Sequence, residues 1–159
     1  MQIKIRLAEQ NDCDDILCWR NDDQARKANF NSEITPYAVH HEWFERSLRD
    51  QNRRVYIGLD EAGNKIGVVR LDKRNEHTVE FDINIAPAMR GKGYGTQMIE
   101  AACQEFNSRS NRCIFLARVK IDNLASIKAF KKSGFFEIFD YEDANNEGVV
   151  ALAKYEKKD

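Results

Sequence analysis

Three glycines at alternate positions, Gly91, Gly93 and Gly95, form a turn between an extended segment ending near Pro87 and an amphipathic helix. Glycine lets successive backbone N–H groups converge without side chains in the way. The first turn of the following helix adds unpaired donors and the positive end of a dipole. The segment Ile83–Thr96 is therefore predicted to hold a phosphate or pyrophosphate, with Arg90 and Lys92 adding charge at the same spot. Its spacing excludes two common nucleotide turns. The third glycine of the dinucleotide fingerprint would fall one residue later, and no Gly-Lys-Ser/Thr closes a Walker loop.

The surrounding patterns place this turn in a mixed α/β (α+β) domain spanning residues 1–159. Residues 2–7 alternate as a half-buried strand, and a helix from the Asn11/Asp12 cap carries Ile16, Leu17 and Trp19 inward. Thr35 is read as the N-cap of a second long helix, with Pro36 at its first position and Val39, Trp43, Phe44 and Leu48 along one face. Strands follow near 53–60, 65–73 and 77–86, the first two joined by a hairpin loop. The glycine turn opens a helix to about Asn107. The apolar run Cys113–Val119 reads as a covered strand, and a helix from Asn123 ends at Gly134. Strands near 135–142 and 147–155 close a mostly antiparallel sheet flanked by helices, and their apolar residues offer an edge for a homodimer.

Charge and cysteine usage narrow the function classes. A net charge of −1 lacks the basic surplus of a dedicated nucleic-acid binder. Cys13, Cys18, Cys103 and Cys113 have no metal-ligand spacing and read as buried reduced thiols. The N-terminal residues carry no apolar run suited to a signal peptide or membrane span, so a cytoplasmic protein is expected. His40 and His41, near a helix start, read as surface or capping residues.

Arg90-Gly91-Lys92-Gly93-Tyr94-Gly95 resembles the Arg/Gln-x-x-Gly-x-Gly/Ala signature of the GNAT acetyltransferase superfamily. The segment Asn123–Phe135 resembles that family's Asn-x-x-Ser/Ala…Gly-Phe motif, in the right order and within a matching succession of elements. The resemblance implies the acyl-CoA N-acyltransferase fold and acetyl-CoA as cosubstrate, with no metal. It implies a pyrophosphate on Arg90, Gly91, Lys92, Gly93, Tyr94, Gly95 and Thr96. The pantetheine arm would lie along Ile83, Asn84 and Ile85, near Asn123, Ser126 and Phe130.

An amine attacks a thioester only as the free base, so a proton acceptor and an oxyanion donor are needed. Alternation puts Glu80, Asp82 and Asn84 on one strand face, and the resemblance makes Glu80 the first candidate base, ahead of Asp82. The oxyanion donor would be a backbone N–H near Ile85. Many relatives carry a tyrosine seven residues after the motif asparagine, where it can protonate the thiolate; this chain has Phe130. Tyr94, Tyr141 and Tyr155 are the remaining acids, or none is required.

The N-terminal segment sets the acceptor in this family. Trp19-Arg20-Asn21-Asp22, Arg26, Phe30-Asn31-Ser32 and His41-x-Trp43-Phe44 are similar to the branch that acetylates nucleotide-linked amino sugars of pseudaminic-acid-type pathways. They are also similar to the branch that modifies ribosomal-protein N-termini. Arg20 and Arg26 could hold a diphosphate, and Trp19 or Trp43 could stack on a base or sugar or else anchor the core. A non-catalytic acyl-CoA sensor is the reading outside enzymology.

Overall fold

The computed structural model describes residues 2–110, 112–139 and 148–155. One sheet of seven strands, in the order β1-β2-β3-β4-β5-β7-β6, organises them. The strands are β1 (Lys4–Leu7), β2 (Arg53–Leu59), β3 (Lys65–Lys73), β4 (Thr78–Ile85), β5 (Ile114–Lys120), β6 (Phe136–Ile138) and β7 (Val149–Tyr155). Every pairing is antiparallel except β4 with β5, whose connection passes through a helix as a parallel crossover requires. The expected mixed, mostly antiparallel sheet with helices on its faces is the one found. The Asn145–Gly148 connection and Tyr141 fall largely or wholly outside the described residues.

Helices α1 (Cys13–Asn21), α2 (Asp23–Ala28) and α3 (Tyr37–Arg49) precede β2, α4 (Tyr94–Arg109) joins β4 to β5, and α5 (Leu124–Lys132) follows β5. No helix among the described residues is long and apolar enough to cross a membrane. Met98, Ile99, Ala102 and Cys103 of α4 form a fully buried stripe in one core with Val69, Leu71, Phe81, Phe115 and Phe130. Gly58 makes that approach feasible, since a Cβ there would stand 2.9 Å from the Met98 side chain. On the other face Cys13, Ile16, Trp19 and Phe44 pack on Val55, Ile57 and Ala86.

Four local expectations are corrected. Pro36, in extended backbone, precedes α3 and accepts the His40 N–H (3.0 Å), so the helix begins one residue later than expected. The buried stripe of α3 is His40, Phe44 and Ser47, while Val39 and Leu48 are exposed. His40 is therefore an interior residue, with Nε2 3.0 Å from the Cys13 carbonyl, and burial pushes its pKa below the usual histidine value. Cys18 is exposed, unlike the other three cysteines.

Asp12 locks β1, the start of α1 and β3 together. Its fully buried carboxylate accepts both Nη groups of Arg6 (2.7 and 3.0 Å), Lys65 Nζ (2.8 Å) and the Glu9 N–H (2.8 Å). Burial pushes this carboxyl up, but those four donors outweigh it and hold the pKa well below the usual range. A depressed carboxylate contributes its stability above the unfolded-state value and loses it as pH falls toward the folded one. Asp12→Asn is accordingly expected to cost about 3 kcal/mol at pH 7. In urea melts the gap to wild type should close as pH drops below about 4; a gap independent of pH would contradict this account.

Candidate active site

β4 is held differently on its two edges. On the β3 side, pairing continues to Gly67↔Ile85, where a Cβ on Gly67 would meet the Asn84 carbonyl at 2.5 Å. On the β5 side it runs only from Thr78↔Ile114 to Phe81↔Ala117, although β5 continues to Lys120. The Ala86 N–H reaches the Ile66 carbonyl of β3 (3.0 Å), and the Ile114 N–H reaches the His77 carbonyl (2.6 Å). Alternation then turns the backbone groups of Ile83 and Ile85 into the gap where the strands part. Asn123 and Ser126 lie beyond the far end of β5, where Asn123 Oδ1 caps α5 by accepting the Ser126 N–H (3.3 Å).

The glycine turn follows directly. Gly91 (φ +75°) and Gly93 (φ +81°) are left-handed, and a Cβ on either would meet nothing within 4 Å. Open space thus lies beside the backbone that leads into α4, with Lys92 exposed next to it. Gly95 and Thr96 are inside the first turn of α4, and Gly95 is positioned for close packing on Ala129 of α5. Tyr94 is buried. Arg90 turns away from this space: Nε donates to the Ile85 carbonyl (3.1 Å) and Nη1 to Asp22 (2.6 Å), whose carboxyl it holds below the usual range. Asp22 also accepts the Ala25 N–H as the cap of α2, so Arg90 ties the turn to the helices.

Across the sheet, between β3–β4 and the α1–α3 segment, lies a cavity of about 250 Å³. Arg70, Asp82 and Asn84 rise from the strands, Trp43 forms one wall, and Arg20, Asn29, Phe30 and Asn31 close it. The guanidinium carbons of Arg20, Arg53 and Arg70 stand 5.9, 5.4 and 5.7 Å from the Trp43 ring. Asp72 takes Nε of both Arg53 (2.5 Å) and Arg70 (2.9 Å). A wider groove of about 730 Å³ along the far half of α4 includes no residue of the turn or of β4.

Residues 2–136 match the acetyltransferase (GNAT) domain family. The chain belongs to the GNAT acetyltransferase family. Spermidine N(1)-acetyltransferase of Vibrio cholerae is 25% identical over 86% of this chain and 80% of its own length. L-methionine sulfoximine/L-methionine sulfone acetyltransferase of Pseudomonas aeruginosa is 27% identical, covering 85% and 81%. The crystal structure of the Vibrio cholerae spermidine enzyme with CoA and spermine superposes with a TM-score of 0.81 over 97% of this chain and 95% of that one, at 21% identity.

As a GNAT enzyme the chain is an acetyl-CoA-dependent N-acetyltransferase, and several expected site residues can now be located. Glu80 does not line the cavity. Its carboxylate is clasped by Arg74 (Nε 2.6 Å) and Arg118 (Nε 2.9 Å), whereas Asp82, two residues on, is on the wall. Trp19 is a core residue, so of the two tryptophans only Trp43 faces the cavity. Asn21 pins the loop by pairing with both backbone groups of Thr35 (3.0 and 2.9 Å). Arg26 donates to the Asn21 and Ser32 carbonyls and to Asp23, so it does not converge with Arg20 on a shared anion. Phe130 is buried edge-on against Phe81 and Phe135, beneath the point where the strands part. Phe30 and Asn31 of the expected acceptor segment are on the cavity wall, whereas Arg70 and Asn29 were not foreseen. The β3 alternation Val68-Arg70-Asp72, read as a second inward face, was the available signal for Arg70.

Proposed function

We propose that acetyl-CoA occupies the gap between β4 and β5, and that a small-molecule primary amine approaches from the Trp43 cavity. The observation that carries this reading is that β4 serves both sides. Its odd residues turn backbone groups into the gap and its even side chains, Asp82 and Asn84, line the cavity. The open space at Gly91 and Gly93 suits a pyrophosphate, with Lys92 and the α4 N-terminus supplying positive charge. Asn123, Ser126 and the backbone of Ile83 and Ile85 would hold the pantetheine arm.

In this arrangement Asp82, directly or through water, takes the proton that the ammonium must lose. The amine nitrogen then bonds to the thioester carbon, a backbone N–H of Ile83 or Ile85 meets the oxyanion, and the carbon–sulfur bond breaks as the nitrogen gives up its second proton to water. A CoA thiolate leaves without a dedicated acid. That agrees with Phe130 at the tyrosine position, and with Tyr155 exposed and stacked on Phe136 at the end of β7.

The relatives named above act on spermidine or on an amino-acid analogue, which supports a small amine. A nucleotide-linked amino sugar would fit a cavity of this size only in part, and Arg26 is engaged elsewhere. A ribosomal-protein N-terminus remains the second acceptor class to test. The free thiols of Cys13 and Cys18 fit a reducing, cytoplasmic setting. The homodimer edge is assigned to β6, where Phe136 and Phe139 are exposed.

The test is release of free CoA from acetyl-CoA with a panel of small amines, an amino sugar linked to a nucleotide, and ribosomal N-terminal peptides. Turnover is expected with a small amine. Failure to bind acetyl-CoA, measured by calorimetry, would overturn the reading.

A further inference from the structure

Arg20 is half-buried at the acceptor cavity, yet among the described residues it makes no ion pair or hydrogen bond; its contact is the Trp43 ring. The cations beside it are otherwise matched: Asp72 is shared by Arg53 and Arg70, and Asp82 lies 3.8 Å from Arg70. Three guanidiniums around Trp43 therefore face two carboxylates, and the surplus positive charge is on the cavity wall. Leaving a guanidinium partly desolvated without a counter-ion is costly. A bound oxyanion would remove that cost through a bidentate, charge-assisted contact. A polyamine would bring more positive charge to the same place and meet only Asp82 on the wall.

Building on the acceptor site proposed above, we propose that this enzyme selects amines that also carry an oxyacid anion, on a molecule of amino-acid size. Arg20 meets the anion, and Asp82 is left to the ammonium. The assignment separates this chain from its spermidine-acetylating relative, with which it shares the fold.

The measurement is quenching of tryptophan fluorescence in the full chain with CoA present, at constant ionic strength. Of the two tryptophans, Trp19 is in the core and Trp43 is on the cavity wall. The titrants are L-methionine sulfone, L-glutamate and 2-aminoethylphosphonate, the fully methylated ester of each acid (dimethyl for the last two), and spermidine. At least one acid is expected to bind about 30-fold more tightly than its ester and than spermidine. Which acid does so distinguishes a carboxylate from a phosphonate. Arg20→Gln should bring that acid within about 3-fold of its ester, while CoA affinity stays unchanged. Equal binding of acid and ester, tighter binding of spermidine, or no quench by any acid would overturn the inference while leaving acetyl-CoA binding, and with it the broader reading, intact. Loss of CoA binding by the wild-type chain would strike the broader reading instead.

Discussion

Gly93→Ala is expected to leave a folded protein whose affinity for acetyl-CoA has fallen about 100-fold. One methyl group has two separate effects here. Gly93 has φ +81°, where an L-residue costs about 1–2 kcal/mol, so a small loss of stability is expected. The new Cβ meets no heavy atom within 4 Å, so nothing needs to rearrange. That same space is where a pyrophosphate has to approach the backbone N–H groups, and there the methyl intrudes. Gly95→Ala is the matched control. Its Cβ would sit 3.6 Å from Ala129, an ordinary contact, and the position is helical. Alanine there should raise helix stability by about 0.5–1 kcal/mol and change acetyl-CoA affinity by less than about 3-fold. Calorimetry with acetyl-CoA, beside thermal unfolding of both variants, checks the pair. Wild-type affinity in Gly93→Ala would remove the pyrophosphate from this turn.

These glycines also mark what the sequence could and could not reveal. The turn, the strand before it and the helix after it were legible because each rests on residues adjacent in the chain. The alternation that set Glu80, Asp82 and Asn84 on one face was legible for the same reason. Partners distant in sequence were not. Nothing beside Arg90 in the chain shows that Asp22, 68 residues earlier, is its partner. Nothing beside Glu80 in the chain shows that Arg118, 38 residues later on β5, holds its carboxylate. On α3 the apolar residues Val39 and Leu48 misdirected the choice of buried face. The actual stripe includes His40 and Ser47, polar residues whose interior partners are the Cys13 carbonyl and the Arg53 guanidinium. Burial there follows hydrogen bonding across elements, which no hydrophobic period records.

The choice between the two carboxylates is decided by a pair of isosteric variants. Asp82→Asn is expected to lower kcat about 100-fold, the usual range for loss of a general base, with acetyl-CoA affinity unchanged. Asp82 suits the role because it combines a place on the cavity wall with a side chain 59% exposed, so water can carry its proton away. Glu80→Gln should instead lower stability by about 1–2 kcal/mol, since Arg74 and Arg118 lose a shared carboxylate but both stay partly solvated. Its kcat should change by less than about 5-fold, because its side chain is engaged by two guanidiniums and is not on the cavity wall. Single-turnover rates, with acetyl-CoA prebound, separate chemistry from binding in both variants. The reverse pattern, a crippled Glu80→Gln and an active Asp82→Asn, would mean that the arginine clasp opens when the acceptor binds. Proton transfer would then wait on that opening, and Arg118→Lys, with its weaker hold, should speed it.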